Sequence, residues 1–237
     1  MQRYFSKEKI DNYFILNQND LYHIKTVMRM QDGQKIEVIY NETLYICQIE
    51  KSKDIKIKIL EEIKNENTTD FEICLVVPVL KEQKMDLIIQ KATELGVNRI
   101  IPFDSERGVV KITKENKDKK QERWQKIAKE ASEQSKRFDI PVVDSVKSIN
   151  EIIKYNGTKL VCSTKKDVNN LKMFLQNYNY CDKLIIVIGP EGGLSEKEEA
   201  FLVQNGFMQI SLGKRIMRVE TVPLFVLSVL NYEKMEW

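Results

Sequence analysis

The sequence contains few of the residues that build metal sites and disulfide frameworks. It has one histidine, His23, and four cysteines among 237 residues, and no two cysteines form a C-x-x-C pair. Structural zinc sites are built from full sets of such ligands, so we expect no metal ion in this protein. Cys47, Cys74 and Cys162 lie inside apolar stretches, which is typical of free, buried thiols in a reducing compartment.

Long apolar runs and an export signal are also missing. No apolar run approaches the roughly 20 residues that cross a bilayer. The N-terminal segment Met1–Glu8 carries charges early and has no apolar signal core, so we expect a mature N-terminus. Together with the free thiols, these absences predict a cytoplasmic protein without a membrane partner.

Charge of one sign is not in large excess. The 38 Lys and Arg residues against 35 Asp and Glu residues give a net charge of +3, which neither requires nor excludes a nucleic-acid partner. Basic residues do crowd residues 107–137, and they predict either an RNA-binding surface or a solvated helix face balanced by glutamates. These basic residues are Arg107, Lys111, Lys114, Lys117, Lys119, Lys120, Arg123, Lys126, Lys129, Lys136 and Arg137.

The pattern of the chain changes near residue 70, and this change predicts two domains. Residues 35–64 contain short strand-like segments, one of them with period-two alternation, and residues 20–30 have apolar side chains at helical spacing. The polar segment 64–70 is typical of a linker. We therefore predict a small, mostly β domain over residues 1–70 and a second domain over residues 71–237.

Beyond residue 70, strand-like apolar runs alternate with segments of helical spacing. Met85, Ile88, Ala92 and Leu95 repeat at helical spacing, and Gly96 stands where that helix would end. Such alternation predicts an α/β fold in which helices cover both faces of a parallel sheet. Open sheets of this kind bind ligands beyond the carboxyl ends of their strands. The predicted strands are residues 71–80, 99–103, 159–163, 183–188 and 208–212.

A glycine-rich segment follows the most apolar of these strands. Residues 189–193, GPEGG, come directly after it, and Ser195 with Glu198 matches the S-x-x-E capping box that starts a helix. Three glycines in these five positions allow a ligand to approach the backbone closely. A simple tight turn between a strand and a helix is the alternative. Neither the dinucleotide fingerprint G-x-G-x-x-G nor a P-loop lysine motif occurs.

A second segment of unusual composition follows the last predicted strand. Residues 212–221, LGKRIMRVET, crowd basic, apolar and acidic side chains into a loop before a helix that opens with Pro223. That helix is apolar on almost all sides, which predicts either a subunit interface or a position deep in the core.

Further short motifs occur in order along nearly the whole chain. They are Arg3-Tyr4-Phe5, residues 23–30, residues 84–97, Ser105-Glu106-Arg107, and a stretch from Glu122-Arg123-Trp124 to Glu133-Gln134-Ser135. Together with the two C-terminal segments they resemble the bacterial 16S ribosomal RNA uracil-N3 methyltransferases of the SPOUT superfamily.

The resemblance implies an N-terminal PUA-like β-barrel that binds RNA, a C-terminal trefoil-knotted α/β domain (SPOUT) and a homodimer formed through that domain. It also implies S-adenosyl-L-methionine as cofactor. The implied substrate is one uridine in the decoding region of 16S rRNA, either as free rRNA or in the small ribosomal subunit. The knot does not follow from periodicity, because true knots are rare.

The resemblance also assigns roles to individual residues. Ile188 and Ile216 would flank the adenine of the cofactor. Methylation at uracil N3 requires loss of the imide proton, and a planar, permanently charged guanidinium suits the resulting anion. Arg218 is the candidate for that role, with Glu220 or Glu191 as proton acceptor; an ion pair between Arg218 and either glutamate is the alternative. The cofactor-binding candidates are Thr164, Ile188, Gly189, Glu191, Gly192, Gly193, Leu212, Gly213, Ile216 and Met217, and the RNA-binding candidates are Arg3, His23, Arg29, Arg107, Arg123 and Arg137.

Two positions depart from the family pattern. The family commonly has Thr where Val219 stands and Gly where Lys136 stands. Val219 would remove a hydroxyl contact near the ligand, and Lys136 would add charge to a helix that could face RNA.

Other functions fit parts of the sequence. An RNA-binding ribosome-assembly factor without catalysis would keep the fold, although the intact segments 189–193 and 212–221 speak against it. A nucleotide-binding oxidoreductase would need a dinucleotide fingerprint after the first strand, and residues 71–84 contain none. Methylation of another RNA is the third alternative.

Overall fold

The computed structural model describes residues 1–63, 71–165, 167–180 and 183–234. The chain divides into two compact units, one made of Met1–Thr68 with Ser132–Ile140 and the other of Thr69–Ala131 with Pro141–Trp237. The segment predicted as a linker lies outside the described residues, so the boundary at residue 70 stays a prediction. The inclusion of residues 132–140 in the first unit was not expected from the sequence.

A six-stranded sheet forms the first unit. Its order is β1-β4-β5-β6-β3-β2, and every neighbouring pair is antiparallel except β1 with β4. The strands predicted within residues 35–64 are confirmed, whereas β1 to β3 were missed because three residues are too few to show alternation. The elements are β1 Arg3–Phe5, β2 Glu8–Ile10, β3 Tyr13–Ile15, α1 Gln18–Tyr22, a π-helical turn His23–Val27, β4 Lys35–Tyr40, β5 Thr43–Lys51 and β6 Ile55–Ile63.

The helical segment predicted over residues 20–30 forms, but only part of its apolar stripe is buried. Ile24 is completely buried in the core of this unit, and Leu21 packs against that core. Val27 and Met28 are exposed, which contradicts a continuous apolar stripe. The reason is the change from α1 to a π-helical turn at His23, which alters the spacing on which the stripe depends.

Arg3 binds residues 136–138 and Glu37, and so connects residues 136–138 to the sheet of the first unit. Its Nε donates to Glu37 Oε2 at 2.8 Å, its Nη1 donates to the carbonyls of Lys136 and Arg137, and its guanidinium lies 5.1 Å from the Phe138 ring centroid. Buried cations in proteins are paired in this way because an unpaired charge in the interior is costly.

Lys136, one of the two departures from the family pattern, occupies a left-handed backbone position with φ +61°. Glycine adopts that conformation without strain, which accounts for the glycine common in the family. The Lys136 ammonium pairs with Glu37 Oε2 at 3.0 Å. This placement favours a structural role for Lys136 over the RNA-facing role suggested by the sequence.

An all-parallel sheet forms the second unit, which confirms the predicted α/β class. Its order is β12-β10-β11-β7-β8-β9. All the strands predicted beyond residue 70 are present. The elements are β7 Ile73–Pro78, α2 Glu82–Glu94, β8 Arg99–Phe103, α3 Lys114–Gln134, β9 Val142–Val143, α4 Ile149–Ile152, β10 Thr158–Cys162, α5 Leu171–Leu175, β11 Leu184–Val187, α6 Glu196–Gln204, β12 Met208–Ile210 and α7 Thr221–Glu233.

The central strands of this sheet are the most apolar ones, as expected. Every residue of β7 and β11 is buried. Met85, Ile88 and Ala92 of the predicted stripe are buried, whereas Leu95 is half-buried at the C-cap of α2; Gly96 follows it in the left-handed conformation with φ +85°. Gly206 follows α6 in the same way with φ +88°.

The C-terminal helix α7 is only partly covered within the chain. Val226, Leu227 and Leu230 are fully buried, and Asn231 Nδ2 donates to the Leu95 carbonyl at the end of α2 at 2.8 Å. Tyr232, in contrast, is 73% exposed. One face of α7 therefore belongs to the core, and the other is available to solvent or a partner.

Candidate functional site

The three predicted ligand segments meet at one edge of the parallel sheet. β10, β11 and β12 are neighbours, and all run in the same direction. Their carboxyl ends lead into Ser163–Lys165, residues 188–193 and residues 211–220. β7, the next neighbour of β11, leads into residues 79–81 and then into α2. The sheet order therefore brings together segments that are distant in the sequence, as Thr164 is from Gly213.

Two glycines of the glycine-rich turn, Gly189 and Gly193, are required for different structural reasons. A Cβ atom on Gly189 would lie 2.9 Å from the Leu194 backbone nitrogen and 3.2 Å from the Gly193 carbonyl carbon, so this position has no room for a side chain. Gly193 has φ +69° with open space around its Cα. The first glycine thus permits the turn to fold back on itself, and the second permits its left-handed backbone.

Two anchors hold this turn in place. Ser195 and Glu198 form the predicted capping box at the start of α6, which confirms that prediction. The other carboxylate oxygen of Glu198 accepts a hydrogen bond from the Glu106 backbone N–H at 2.7 Å. Arg107 Nη1 donates to the carbonyls of Gly192 at 3.0 Å and of Leu194 at 3.3 Å. The loop after β8 is therefore tied to the glycine-rich turn.

The segment after β12 presents a mixed surface beside this turn. Ile216 is 79% exposed, Leu212 and Met217 are half-buried, and Ile188 of the neighbouring loop is buried. Gly213 has φ +112° and open space where a side chain would be. Val219 is buried, so at this departure from the family pattern the side chain points into the protein.

Lys84 connects the two segments. Its Nζ lies 2.9 Å from Glu191 Oε1 and 3.2 Å from Glu220 Oε2. The sequence alone does not predict this role of Lys84, because both of its partners are more than a hundred residues away. The available signal was its place in the matching motif 84–97, in the first turn of the helix after β7. Lys84 therefore bridges the glycine-rich turn and the loop that carries Arg218.

The two carboxylates of this cluster are ionised at neutral pH. The Lys84 ammonium holds the pKa of Glu191 below its ordinary value. The backbone N–H of Glu220, together with Lys84 and Arg218, holds the pKa of Glu220 below its ordinary value. Glu220 is the more enclosed of the two, with 17% of its side chain exposed against 44% for Glu191. Its Oε2 has no hydrogen-bond donor within the described residues, although the Lys84 charge lies close to it.

Arg218 itself is exposed at the surface of this cluster. Its backbone carbonyl accepts hydrogen bonds from the N–H groups of Thr221 and Val222 at the start of α7. In the part of the chain that the structure describes, the Arg218 guanidinium forms no ion pair with a carboxylate. The alternative of a structural ion pair with Glu191 or Glu220 is therefore not what the structure contains, because Lys84 holds both.

The RNA-binding candidates fall into two groups. Arg3 is buried, Arg123 is bound in a bidentate pair to Asp86, and Arg137 donates through Nε and Nη2 to Asp139. These placements favour structural roles for the three arginines. The other candidates, His23, Arg29 and Arg107, are half-buried or exposed.

Groups of three or more His, Cys, Asp or Glu side chains that could hold a metal ion do not occur among the described residues. The described helices include none that is long and apolar enough to span a membrane.

Two family models match the chain. An RNA methyltransferase domain matches residues 65–231, and an RNA methyltransferase PUA domain matches residues 16–62.

Named relatives cover the chain almost from end to end. Ribosomal RNA small subunit methyltransferase E of Bacillus subtilis is 35% identical over 98% of this chain and 97% of the relative. The protein of the same name from Mesomycoplasma hyopneumoniae is 36% identical over 96% of this chain and 98% of the relative. A crystal structure of ribosomal RNA small subunit methyltransferase E from Neisseria gonorrhoeae, bound to S-adenosyl methionine, is 29% identical and superposes with a TM-score of 0.85 over 98% of this chain and 97% of that one.

Proposed function

Since the chain belongs to the family of RNA methyltransferases that includes ribosomal RNA small subunit methyltransferase E, we propose that it transfers the methyl group of S-adenosyl-L-methionine to N3 of a uridine in 16S rRNA. It is an α/β enzyme of the SPOUT type with an N-terminal PUA-like domain. The observation that carries the proposal is the meeting of segments 188–193 and 211–220 at the carboxyl edge of the sheet, where the exposed Arg218 forms no salt bridge with any carboxylate of the described residues.

The residues at this edge fit an adenosine cofactor. Gly193 and Gly213 leave open space beside their backbones, where side chains would otherwise stand. Leu212 and Ile216 offer apolar surface for the adenine ring, whereas Ile188, the other predicted adenine neighbour, is buried. Backbone groups of the two segments, with Gly189, Gly192 and Met217, would hold the ribose and the amino-acid part, and Thr164 and Glu191 would lie at the rim. When bound, the cofactor supplies an activated methyl group and a neutral thioether leaving group.

The protein then contributes to the reaction by positioning the uracil and the cofactor and by stabilising the negative charge on the uracil. N3 of uracil must lose its proton before it can attack the methyl carbon. Arg218 would lie against O2 or O4 of the ring and stabilise the negative charge that spreads onto them. Glu220 would accept the proton, and its low pKa makes it a weak base whose usefulness depends on position. Holding the base and the cofactor in line is worth up to roughly 7–11 kcal/mol in favourable cases.

RNA binding is assigned to both domains. Arg29 and His23 of the PUA-like domain and the exposed Arg107 side chain would contact the substrate, whereas Arg3, Arg123 and Arg137 would hold the protein structure. A ribosomal RNA substrate also places the reaction in the cytoplasm.

We also propose a homodimer through the C-terminal domain. The exposed apolar side chains on the outer face of α7, Phe225 and Tyr232, support it. Light scattering should then give about twice the chain mass of 27.8 kDa.

Deletion of the gene tests the proposed substrate. We expect N3-methyluridine to disappear from the small-subunit rRNA and to return when the gene is restored.

A calorimetric titration with S-adenosylhomocysteine tests whether the purified chain binds the proposed cofactor. A protein that binds RNA without this ligand would instead be the non-catalytic assembly factor, and an unchanged methylation pattern with cofactor binding would indicate another RNA substrate.

Replacement of Lys84 by methionine tests the coupling of the two segments. Without the ammonium, the pKa values of Glu191 and Glu220 should rise toward their ordinary values, since Lys84 contributes to holding both below it. Protonation of Glu220 then sets in at higher pH, so the acidic limb of the kcat/KM profile should move to higher pH. We also expect a fall of about tenfold at the optimum, because the two loops lose their common anchor.

Lys91→Met is the matched control, because Lys91 pairs with Glu94 on the same helix and away from the cluster. An acidic limb that stays in place in the Lys84 variant would contradict the role given to Glu220.

A further inference from the structure

An eight-residue surface in the PUA-like domain, Tyr22 to Arg29, exposes large side chains in close succession. Tyr22 is 61% exposed, Val27 is 58% exposed and Met28 is 46% exposed, with Lys25, Thr26 and Arg29 also at the surface. Single exposed apolar residues are ordinary on protein surfaces, whereas a contiguous set with an aromatic ring marks a contact surface. We call residues 22–29 the aromatic-basic surface.

The charge of this surface has one sign. Lys25 and Arg29 are its charged residues, and the sequence contains no Asp or Glu from residue 21 to residue 31. The nearest acid before it, Asp20, is buried, and its Oδ2 accepts a hydrogen bond from Asn17 Nδ2 at 2.8 Å. The partner that complements such a surface is a polyanion.

The exposure of these side chains is a fixed feature of the fold. The completely buried Ile24 anchors the π-helical turn, and the backbone N–H groups of Met28 and Met30 donate to the carbonyls of His23 and Ile24. Arg29 has φ +49°, a conformation that non-glycine residues seldom adopt. Short π-helical segments and strained backbone positions recur at binding sites.

The Tyr4 side chain orients the His23 ring through a hydrogen bond to one of its nitrogens. The buried Tyr4 hydroxyl lies 3.0 Å from His23 Nδ1, and the two rings meet edge to face with centroids 5.9 Å apart. Burial raises the pKa of Tyr4 far above its ordinary value, so the phenol keeps its proton while it is hydrogen-bonded to Nδ1. The other ring nitrogen, Nε2, takes no part in this hydrogen bond, which leaves it for a ligand.

We propose that the aromatic-basic surface binds an unpaired stretch of RNA, with a base stacked on the Tyr22 ring, His23 Nε2 hydrogen-bonded to that nucleotide, and Lys25 and Arg29 contacting the flanking phosphates. The proposal rests on the proposed function only in taking RNA as the substrate. Stacking leaves the polar edges of a base in water, so an exposed tyrosine suits it better than an enclosed apolar pocket does.

Binding of a labelled oligouridylate of about ten nucleotides to the full chain, followed by fluorescence anisotropy, tests the proposal. Tyr22→Ala should raise Kd about five- to tenfold, which is the lower end of measured stacking effects because one face of the ring stays in water. Tyr22→Phe keeps the ring and should bind within about twofold of the wild type. Ile10→Ala is the matched control, since Ile10 is a similarly exposed apolar residue on β2 of the same unit.

Three results would overturn the proposal. They are no binding of the oligonucleotide at low salt, unchanged Kd in Tyr22→Ala, and equal weakening in Tyr22→Ala and Ile10→Ala. If Tyr22→Ala changed the molecular mass in sedimentation and left Kd unchanged, the surface would be a protein interface instead. A titration of the same samples with S-adenosylhomocysteine keeps the two proposals apart, because loss of cofactor binding refutes the methyltransferase while leaving the RNA surface intact.

Discussion

Alanine in place of Arg218 should lower kcat for RNA methylation by about 100- to 1,000-fold, with little change in affinity for S-adenosylhomocysteine. The size follows from comparable sites, where removal of one preorganised donor to a developing negative charge costs about two to three orders of magnitude. Deprotonated uracil carries its charge on O2, N3 and O4. A guanidinium held against one of these oxygens is worth most in the transition state, so the loss should fall on kcat rather than on binding of the cofactor.

The structure explains why Arg218 rather than Lys84 is given this role. Lys84 is within 3.2 Å of both carboxylates of the cluster, so its charge is already compensated. Arg218 has no such carboxylate partner among the described residues, and its backbone is held at the start of α7. Arg218→Lys should recover only a small part of the activity, because an ammonium cannot present two donors in one plane.

Arg215→Ala is the control for Arg218→Ala, since Arg215 is an exposed arginine of the same loop. Single-turnover rates at saturating RNA separate chemistry from substrate binding. If both variants lost activity equally, the arginines would act through the general positive potential of the loop, and the specific role of Arg218 would be wrong.

The regular elements of the second unit could be predicted because each has a pattern of its own. β7 and β11 are continuous apolar runs, and α2 repeats its buried side chains at helical spacing. The capping box at Ser195 marked the start of α6 to the residue. Such signals lie within one segment and need no knowledge of its neighbours.

The parts that could not be predicted depend on contacts between distant segments. Nothing near Lys84 in the sequence indicates Glu191 and Glu220, and nothing near Arg107 indicates the carbonyls of Gly192 and Leu194. The RNA-binding candidates show the same limit, since an arginine that faces RNA and one that binds a carboxylate look alike until the partner is placed. Arg123 is assigned a structural role because its guanidinium donates to the Asp86 carboxylate, a contact that the sequence does not indicate.

In the glycine-rich turn, adding a single Cβ atom at Gly189 should have a large effect on cofactor binding. We expect Gly189→Ala to weaken S-adenosylhomocysteine binding about 100-fold, because the new Cβ would stand 2.9 Å from the Leu194 backbone nitrogen and the turn must open. The strain should also lower the free energy of unfolding by about 1–3 kcal/mol. Calorimetric titration and thermal unfolding measure the two effects on the same sample.

Gly206→Ala separates the loss of binding from the loss of stability. Gly206 follows α6 with φ +88° and has open space around it, so alanine there costs about 1–2 kcal/mol of backbone strain without a clash. Both variants should therefore unfold at lower temperature, while only Gly189→Ala should lose the ligand. If Gly189→Ala and Gly206→Ala bound S-adenosylhomocysteine with equal affinity, the turn at Gly189 would shape the fold without contacting the cofactor. The glycine-rich segment would then be the simple strand-to-helix turn that its sequence also allowed.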